Sequence, residues 1–382
     1  MMQSLSPTIF VISPDMEEKK MKPYTLQKSD DILSEILVTY DTDDPIRVLQ
    51  LTDMQIISLN CTRNPTRDRQ IKGAYFKEGV ASMDVRCFSY VDELIRRVEP
   101  DLILLTGDNV YGEFDDLGEM QTLLCRRMEE YGVLWAPVFG NHDNESQKGV
   151  RWQIEQFLAS PHCLFSRGNV TGNGNYALRI RQRERELFTL YMLDSNGCHT
   201  VGNPWAPEEG ITEDNVDYNL LCHEGGIFPD QIAWYTETAE RIAAENSERI
   251  PSIACFHIPL HAYDLAMEEK YGYVLGTDFT ATEEGDFGVM CEHNAKRIDR
   301  DLSFYRAARS VGTVGFFAGH EHKNDLVIYH DGVCFAYGVK TGVATYYRND
   351  AIGGTVITLK ADRTFSVHHE KCEKRLVPEP LT

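Results

Sequence analysis

Five groups of residues along the chain carry side chains that bind metals or move protons. They are Asp53 with Gln55 two residues on, Asp108, the run Asn141-His142-Asp143, His257, and His320-Glu321-His322. Each follows an apolar run: LQLT before Asp53, LILLTG before Asp108, APVFG before Asn141, IACF before His257 and VGFFAG before His320. A solitary Asp after a strand is ordinarily a turn former or a helix cap. Five groups with the same relation to a strand end are a different matter, because sites in open α/β sheets form beyond the carboxyl ends of strands. Groups spread from residue 53 to residue 322 can therefore converge on one rim. Mixed oxygen and nitrogen donors of this kind suit Mn, Zn or Fe better than Mg or Ca.

The elements that must position these groups alternate between β and α. Arg47 to Thr52 reads as a buried strand, and Asp84 to Glu99 places Val85, Phe88, Val91, Leu94, Ile95 and Val98 at helical spacing. Strands are expected at Leu102 to Thr106, Val133 to Phe139, residues 175–180 and 187–193, Ser252 to Phe256 and Thr313 to Phe317. Helices are expected around Leu117 to Met128, over 146–158, at Phe228 to Asn246 and at Asp299 to Val311. Asp331-Gly332 marks a hairpin between Leu326 to His330 and Val333 to Tyr337, and Thr355 to Leu359 with Thr364 to His368 reads as another. Alternating units followed by antiparallel strands indicate a layered α/β sandwich. Two stretches, about Gly197 to Phe228 and His261 to Lys296, exceed simple connections and read as binding loops. The organisation expected is an extension over 1–44, one domain over 45–375 and a tail over 376–382.

Composition narrows the function. Lys plus Arg number 38 against 59 for Asp plus Glu, a formal charge of -21. That balance argues against a partner bound through its phosphate backbone, so no nucleic acid is expected. It also argues against a membrane surface, and no apolar run approaches the ~18 residues of a membrane span. Ten cysteines lie scattered with no C-x-x-C pair, which favours a reduced, cytoplasmic setting. There is no G-x-x-x-x-G-K-[ST] phosphate loop and no G-x-S-x-G elbow.

The ordered set Asp53-x-Gln55, Gly107-Asp108, Gly140-Asn141-His142-Asp143, His257 and Gly319-His320-x-His322 resembles the calcineurin-like metallophosphoesterases, in the branch related to purple acid phosphatases. The resemblance covers roughly residues 46–345. It implies a four-layer αββα sandwich of two mixed sheets flanked by helices, and a centre of two metal ions (Mn, Fe or Zn). It further implies that Asp108 bridges both ions. Asp53 and His322 would bind the first ion, and Asn141, His257 and His320 the second. The implied reaction is hydrolysis of a phosphate ester, a phosphomonoester foremost, by in-line attack of a metal-bound hydroxide. Substrates of this class are small phosphate esters or phosphoproteins. A phosphodiesterase or pyrophosphatase acting on a nucleotide-like substrate is the alternative within the family. A non-catalytic scaffold of the same fold is the alternative outside it.

One position departs from the family pattern, which has Asp-x-His where this chain has Asp53-Met54-Gln55. The Gln55 carbonyl oxygen is one candidate for the ligand that is lacking. Tyr111, in Gly107-Asp108-Asn109-Val110-Tyr111, is the other, because it matches the G-D-x-x-Y motif in which purple acid phosphatases bind ferric iron. His142 is expected to protonate the leaving group, with Asp143 either orienting its ring or capping the following helix. Arg63 and Arg67, in a loop that also holds Arg69 and Lys72, are candidates for holding phosphate oxygens. His261 is a candidate substrate-facing imidazole, and Pro259 argues against a helix linking it to His257.

Overall fold

A computed structural model describes residues 22–29, 33–58, 80–197, 225–293 and 297–373. Strands β3 (Ile46–Leu51), β4 (Leu102–Thr106), β5 (Leu134–Val138), β14 (Gly353–Leu359) and β15 (Phe365–Lys371) form a five-stranded sheet in the order β15-β14-β3-β4-β5. A second sheet holds β1 (Tyr24–Lys28), β2 (Glu35–Tyr40), β6 (Tyr176–Gln182), β7 (Arg185–Met192), β8 (Ser252–Cys255), β11 (Thr313–Ala318), β12 (Val327–His330) and β13 (Val333–Tyr337). Its order is β1-β2-β6-β7-β8-β11-β13-β12. Both sheets are mixed: β3, β4 and β5 are parallel, as are β7, β8, β11 and β13, while β14, β6 and β12 pair antiparallel with β3, β7 and β13. A short pair, β9 (Phe279–Thr280) and β10 (Val289–Met290), lies apart from them.

The strands of the larger sheet alternate between two apolar cores, as side chains of period two must. Ile253, Cys255, Phe317, Cys334 and Ala336 pack in one core with β3, β4 and β5, a core that also takes in residues of helices α1 (Val80–Val98), α2 (Glu119–Glu130) and α3 (Gly149–Ala159). Ala254, Phe256, Phe316, Phe335 and Tyr337 face the opposite way, against α4 (Pro229–Asn246), α5 (His261–Tyr271) and α6 (Ser303–Ser310). A sheet covered on both faces needs continuous apolar runs, and that is why LILLT and IACF read as unbroken. The four-layer αββα arrangement expected from the sequence is the one observed. Cys255 and Cys334 pack as small apolar groups, and burial pushes the Cys334 thiol up to about 12. Among the described residues, no helix is long and apolar enough to cross a membrane.

Two boundaries differ from expectation. The extension read over 1–44 contributes β1 and β2, with Ile36, Val38 and Tyr40 buried and β2 parallel to β6. The folded body therefore begins well before residue 45. Charged residues hid this, because β2 carries an ion pair inward: Glu35 Oε2 lies 3.2 Å from Arg179, which is also 2.7 Å from Glu186. Removing Arg179 takes the bidentate partner from the buried Glu186, which retains Asn246 and Arg181, while Glu35 retains Arg241. Arg179→Ala should therefore cost about 1–3 kcal/mol, read as a lowered urea midpoint with unchanged slope. The second difference is the stretch from His261 to Lys296. It opens with α5 and holds β9 and β10, so it is a structured excursion rather than a loop.

Candidate metal centre

Each candidate ligand group stands just past the carboxyl end of its strand. Asp53 follows β3, Asp108 follows β4, Asn141 and His142 follow β5, His257 follows β8, and His320 and His322 follow β11. The first three leave the five-stranded sheet and the others leave the eight-stranded one, so the site sits across the seam between the sheets. Several of these residues turn sharply there. Asp53, Gln55, Asp108 and His320 all have φ between 45° and 74°, a left-handed backbone that costs a non-glycine residue of order 1–3 kcal/mol. Backbone contacts lock those turns: Asp53 N–H donates to Gly107 O at 3.1 Å, and Gln55 N–H to Asp108 O at 2.9 Å.

The glycine before each pair of ligands has a steric reason. A Cβ on Gly140 would overlap the backbone nitrogen and carboxylate of Asp108, and one on Gly319 would overlap Thr52 and the carboxylate of Asp53. Gly140→Ala is therefore expected to displace Asp108 by several tenths of an ångström. Metal affinity measured by competition with a chelator should fall ~10–100-fold, the range for disturbing the supports of ligands.

At the centre, four ligand atoms crowd together. His257 Nε2 lies 3.1 Å from Asn141 Oδ1, 3.3 Å from Asp108 Oδ1 and 3.3 Å from His320 Nδ1. His257 Nδ1 is 2.9 Å from the Thr106 carbonyl oxygen. With Nδ1–H donating there, the neutral ring keeps its lone pair at Nε2, the arrangement that a hydrogen-bonded carbonyl imposes on metal-binding histidines. These atoms share either a proton on Nε2 or, with the neutral ring, a metal ion placed among them. Asp53, Asp108 and His257 also form a cluster whose ligand atoms all lie within 4.8 Å of one another. This half of the site, Asn141, His257, His320 and Asp108, fits a divalent ion.

Charge tells the same story. Burial opposes a charged imidazole, yet the Asp108 and Asp53 carboxylates push His257 up to about 9. Burial and the positive field of His257 push His320 down to about 3. Against burial, the neighbouring His322, His257 and Lys340 hold Asp53 far below the usual carboxylate range. The two carboxylates of Asp53 and Asp108 thus favour positive charge on the imidazole beside them.

The other half fits a cation in part. Asp53 Oδ1 is buried without a hydrogen-bond partner and lies 3.2 Å from His322 Nε2. Gln55 is turned the other way from the expected ligand. Its amide Nε2 donates to Asp108 Oδ2 at 3.0 Å, while its carbonyl oxygen accepts from Lys340 Nζ at 3.0 Å and from Thr345 Oγ1 at 2.7 Å. The amide hydrogens, not the oxygen, face the cage. Lys340 is buried, and burial brings its ammonium down to about 8 although Asp53 and Asp108 work against that. Sequence reading missed Lys340 although it carries the same mark as the ligands, a charge just past the apolar run VCFAYGV.

The remaining candidates divide. His142 stands at the cage edge: its backbone N–H donates to Asp108 Oδ1 at 2.9 Å, and its ring is 19% exposed. Asp143 neither orients that ring nor caps a helix. Its carboxylate accepts from the backbone N–H of Val110 at 2.9 Å and of Gly140 at 2.7 Å, tying the β4 and β5 loops together. The group beside His142 is Glu145, with Oε2 3.0 Å from Nδ1. Burial opposes the charge on His142, but Glu145 and Asp108 push it up to about 9. The Tyr111 ring stacks on His142 at 4.3 Å between centroids and meets Phe114 edge-on, so it backs the imidazole. His261 opens α5 with Nδ1 3.8 Å from Asp264 and is not part of the cluster. Glu321, between the two histidines, turns away to pair with Arg297. Arg63 and Arg67 lie outside the described residues.

Residues 46–324 match the calcineurin-like phosphoesterase family. Among curated proteins, an uncharacterized protein of Schizosaccharomyces pombe is 27% identical over 318 residues, covering 80% of this chain and 52% of that one. "Probable inactive purple acid phosphatase 28" of Arabidopsis thaliana is 27% identical over 327 residues, covering 80% and 72%. "Phosphatase DCR2" of Saccharomyces cerevisiae is 26% identical over 245 residues, covering 60% and 37%. The chain thus spans about half the length of the fission-yeast relative. Among solved structures, a dimetal phosphatase from Danio rerio aligns with a TM-score of 0.49 and 13% identity, covering 86% of this chain and 96% of that one. A purple acid phosphatase from yellow lupin aligns with 0.44 and 11%, covering 88% and 54%.

Proposed function

Since the chain belongs to the calcineurin-like phosphoesterase family, we propose that it is a metal-dependent phosphoric ester hydrolase, with phosphomonoesters its main substrates. The observation that carries this reading is the convergence of Asn141 Oδ1, Asp108 Oδ1 and His320 Nδ1 on His257 Nε2, a mixed oxygen and nitrogen donor set that a metal ion would satisfy. A metal held there would polarise the phosphoryl group and supply a nucleophile from water at neutral pH.

The chain's own residues do the rest. Asp108 orders the cage by accepting from the His142 backbone and the Gln55 amide. His142, kept charged by Glu145 and Asp108, carries a proton for the leaving oxygen. Tyr111 holds the imidazole plane, and Asp143 keeps the two ligand loops in register. An anionic substrate is drawn to the cage by local positive charge, in spite of the chain's net -21.

A second reading, a scaffold that keeps the fold without turnover, is favoured by the inward amide of Gln55 and by relatives whose names include "inactive". A chromogenic phosphomonoester assay with added Mn decides between them. The enzyme reading expects Mn-dependent turnover that Asp108→Asn abolishes, and equal rates for the two chains would reject it.

A further inference from the structure

We propose that the ammonium of Lys340 takes the place of one cation, so that the chain binds a single metal ion in the half-site of Asn141, His257, His320 and Asp108. The inference rests on the metal-dependent reading above and makes it more specific.

Lys340 is donor-only. Its Nζ donates to the backbone oxygen of Asp53 at 2.8 Å and to Gln55 Oε1 at 3.0 Å, with Thr345 Oγ1 donating to the same oxygen. Flipping the Gln55 amide to offer its oxygen to an ion would press its hydrogens against the buried ammonium. The amide orientation is therefore held by charge, and an amide nitrogen has no lone pair for a metal. Position follows from the fold, since Lys340 pairs with Thr52 in an isolated parallel bridge just past β13.

Charge balance agrees. Asp53 and Asp108 are the only carboxylates in the expected ligand set, and one divalent ion neutralises both. Lys340 already adds a positive charge beside them. A second divalent ion between Asp53 and His322 would sit beside the buried ammonium of Lys340, a repulsion that is screened little there.

The test is metal stoichiometry of the full chain loaded with Mn, desalted, and measured by elemental analysis and electron paramagnetic resonance. The expected result is one Mn per chain with the spectrum of an isolated ion. His257→Ala should lose it, and His322→Ala should keep it. The double variant Gln55→His, Lys340→Met should take up a second Mn and show spin coupling. Two coupled ions in the unaltered chain would overturn the inference and leave the metal-dependent reading standing. No bound Mn would overturn both. One ion in the double variant, or an ion lost with His322 and kept without His257, would also overturn the inference.

Discussion

Asp108→Asn is expected to empty the metal centre and lower turnover of a phosphomonoester by on the order of 10³-fold or more. Oδ1 of Asp108 accepts from the His142 backbone N–H at 2.9 Å, and Oδ2 accepts from the Gln55 amide at 3.0 Å. A carboxylate accepts at both oxygens, whereas an Asn side chain must donate at one of them. In either orientation its hydrogens meet another donor, at a cost of about 1–3 kcal/mol for the unmet group. The larger loss is the negative charge opposite His257 Nε2, 3.3 Å away. Several kcal/mol of lost metal stabilisation, at 1.36 kcal/mol per factor of ten, gives the magnitude stated. Metal content and turnover are measured on one preparation. Retention of both would show that Asp108 does not hold the centre.

His142→Ala should leave metal content unchanged and lower kcat ~10²–10⁴-fold for alkyl phosphates. Loss should be much smaller for nitrophenyl phosphate, whose leaving group needs no proton. The separation rests on geometry: the backbone of His142 meets Asp108, while its ring is turned to Glu145 and stacks on Tyr111. Glu145→Gln should cause a partial loss of the same pattern, because a neutral oxygen still accepts from the ring but no longer favours its charged form. Equal losses on both substrates would assign His142 to the fold of the loop instead of to proton transfer.

The convergence of the candidate ligands was legible for a physical reason. Parallel strands buried on both faces read as unbroken apolar runs, and their carboxyl ends lie on one edge of the molecule. Asp53, Asp108, Asn141, His257 and His320 could therefore be grouped before any contact was known. The partner of His142 was misread because adjacency in sequence was taken for adjacency in space. Residues 143–145 form a 3₁₀ turn, in which side chains three apart eclipse. Glu145 returns to the face of His142, and Asp143 points into the backbone of the neighbouring loop.

Residue types and their place after apolar runs thus specified the layers, the strand ends and the donors, since all of these depend on local pattern and hydrophobic burial. How the Gln55 amide is turned, and hence what the first half of the cage can hold, depended on Lys340 and Thr345, which stand 285 and 290 residues beyond Gln55 in the chain. Only folding brings a lone pair and an ammonium so remote in sequence within hydrogen-bond reach. The Arg179 cluster has the same origin. Glu35 reads as a solvent-facing charge until β2 lies against β6 and buries it.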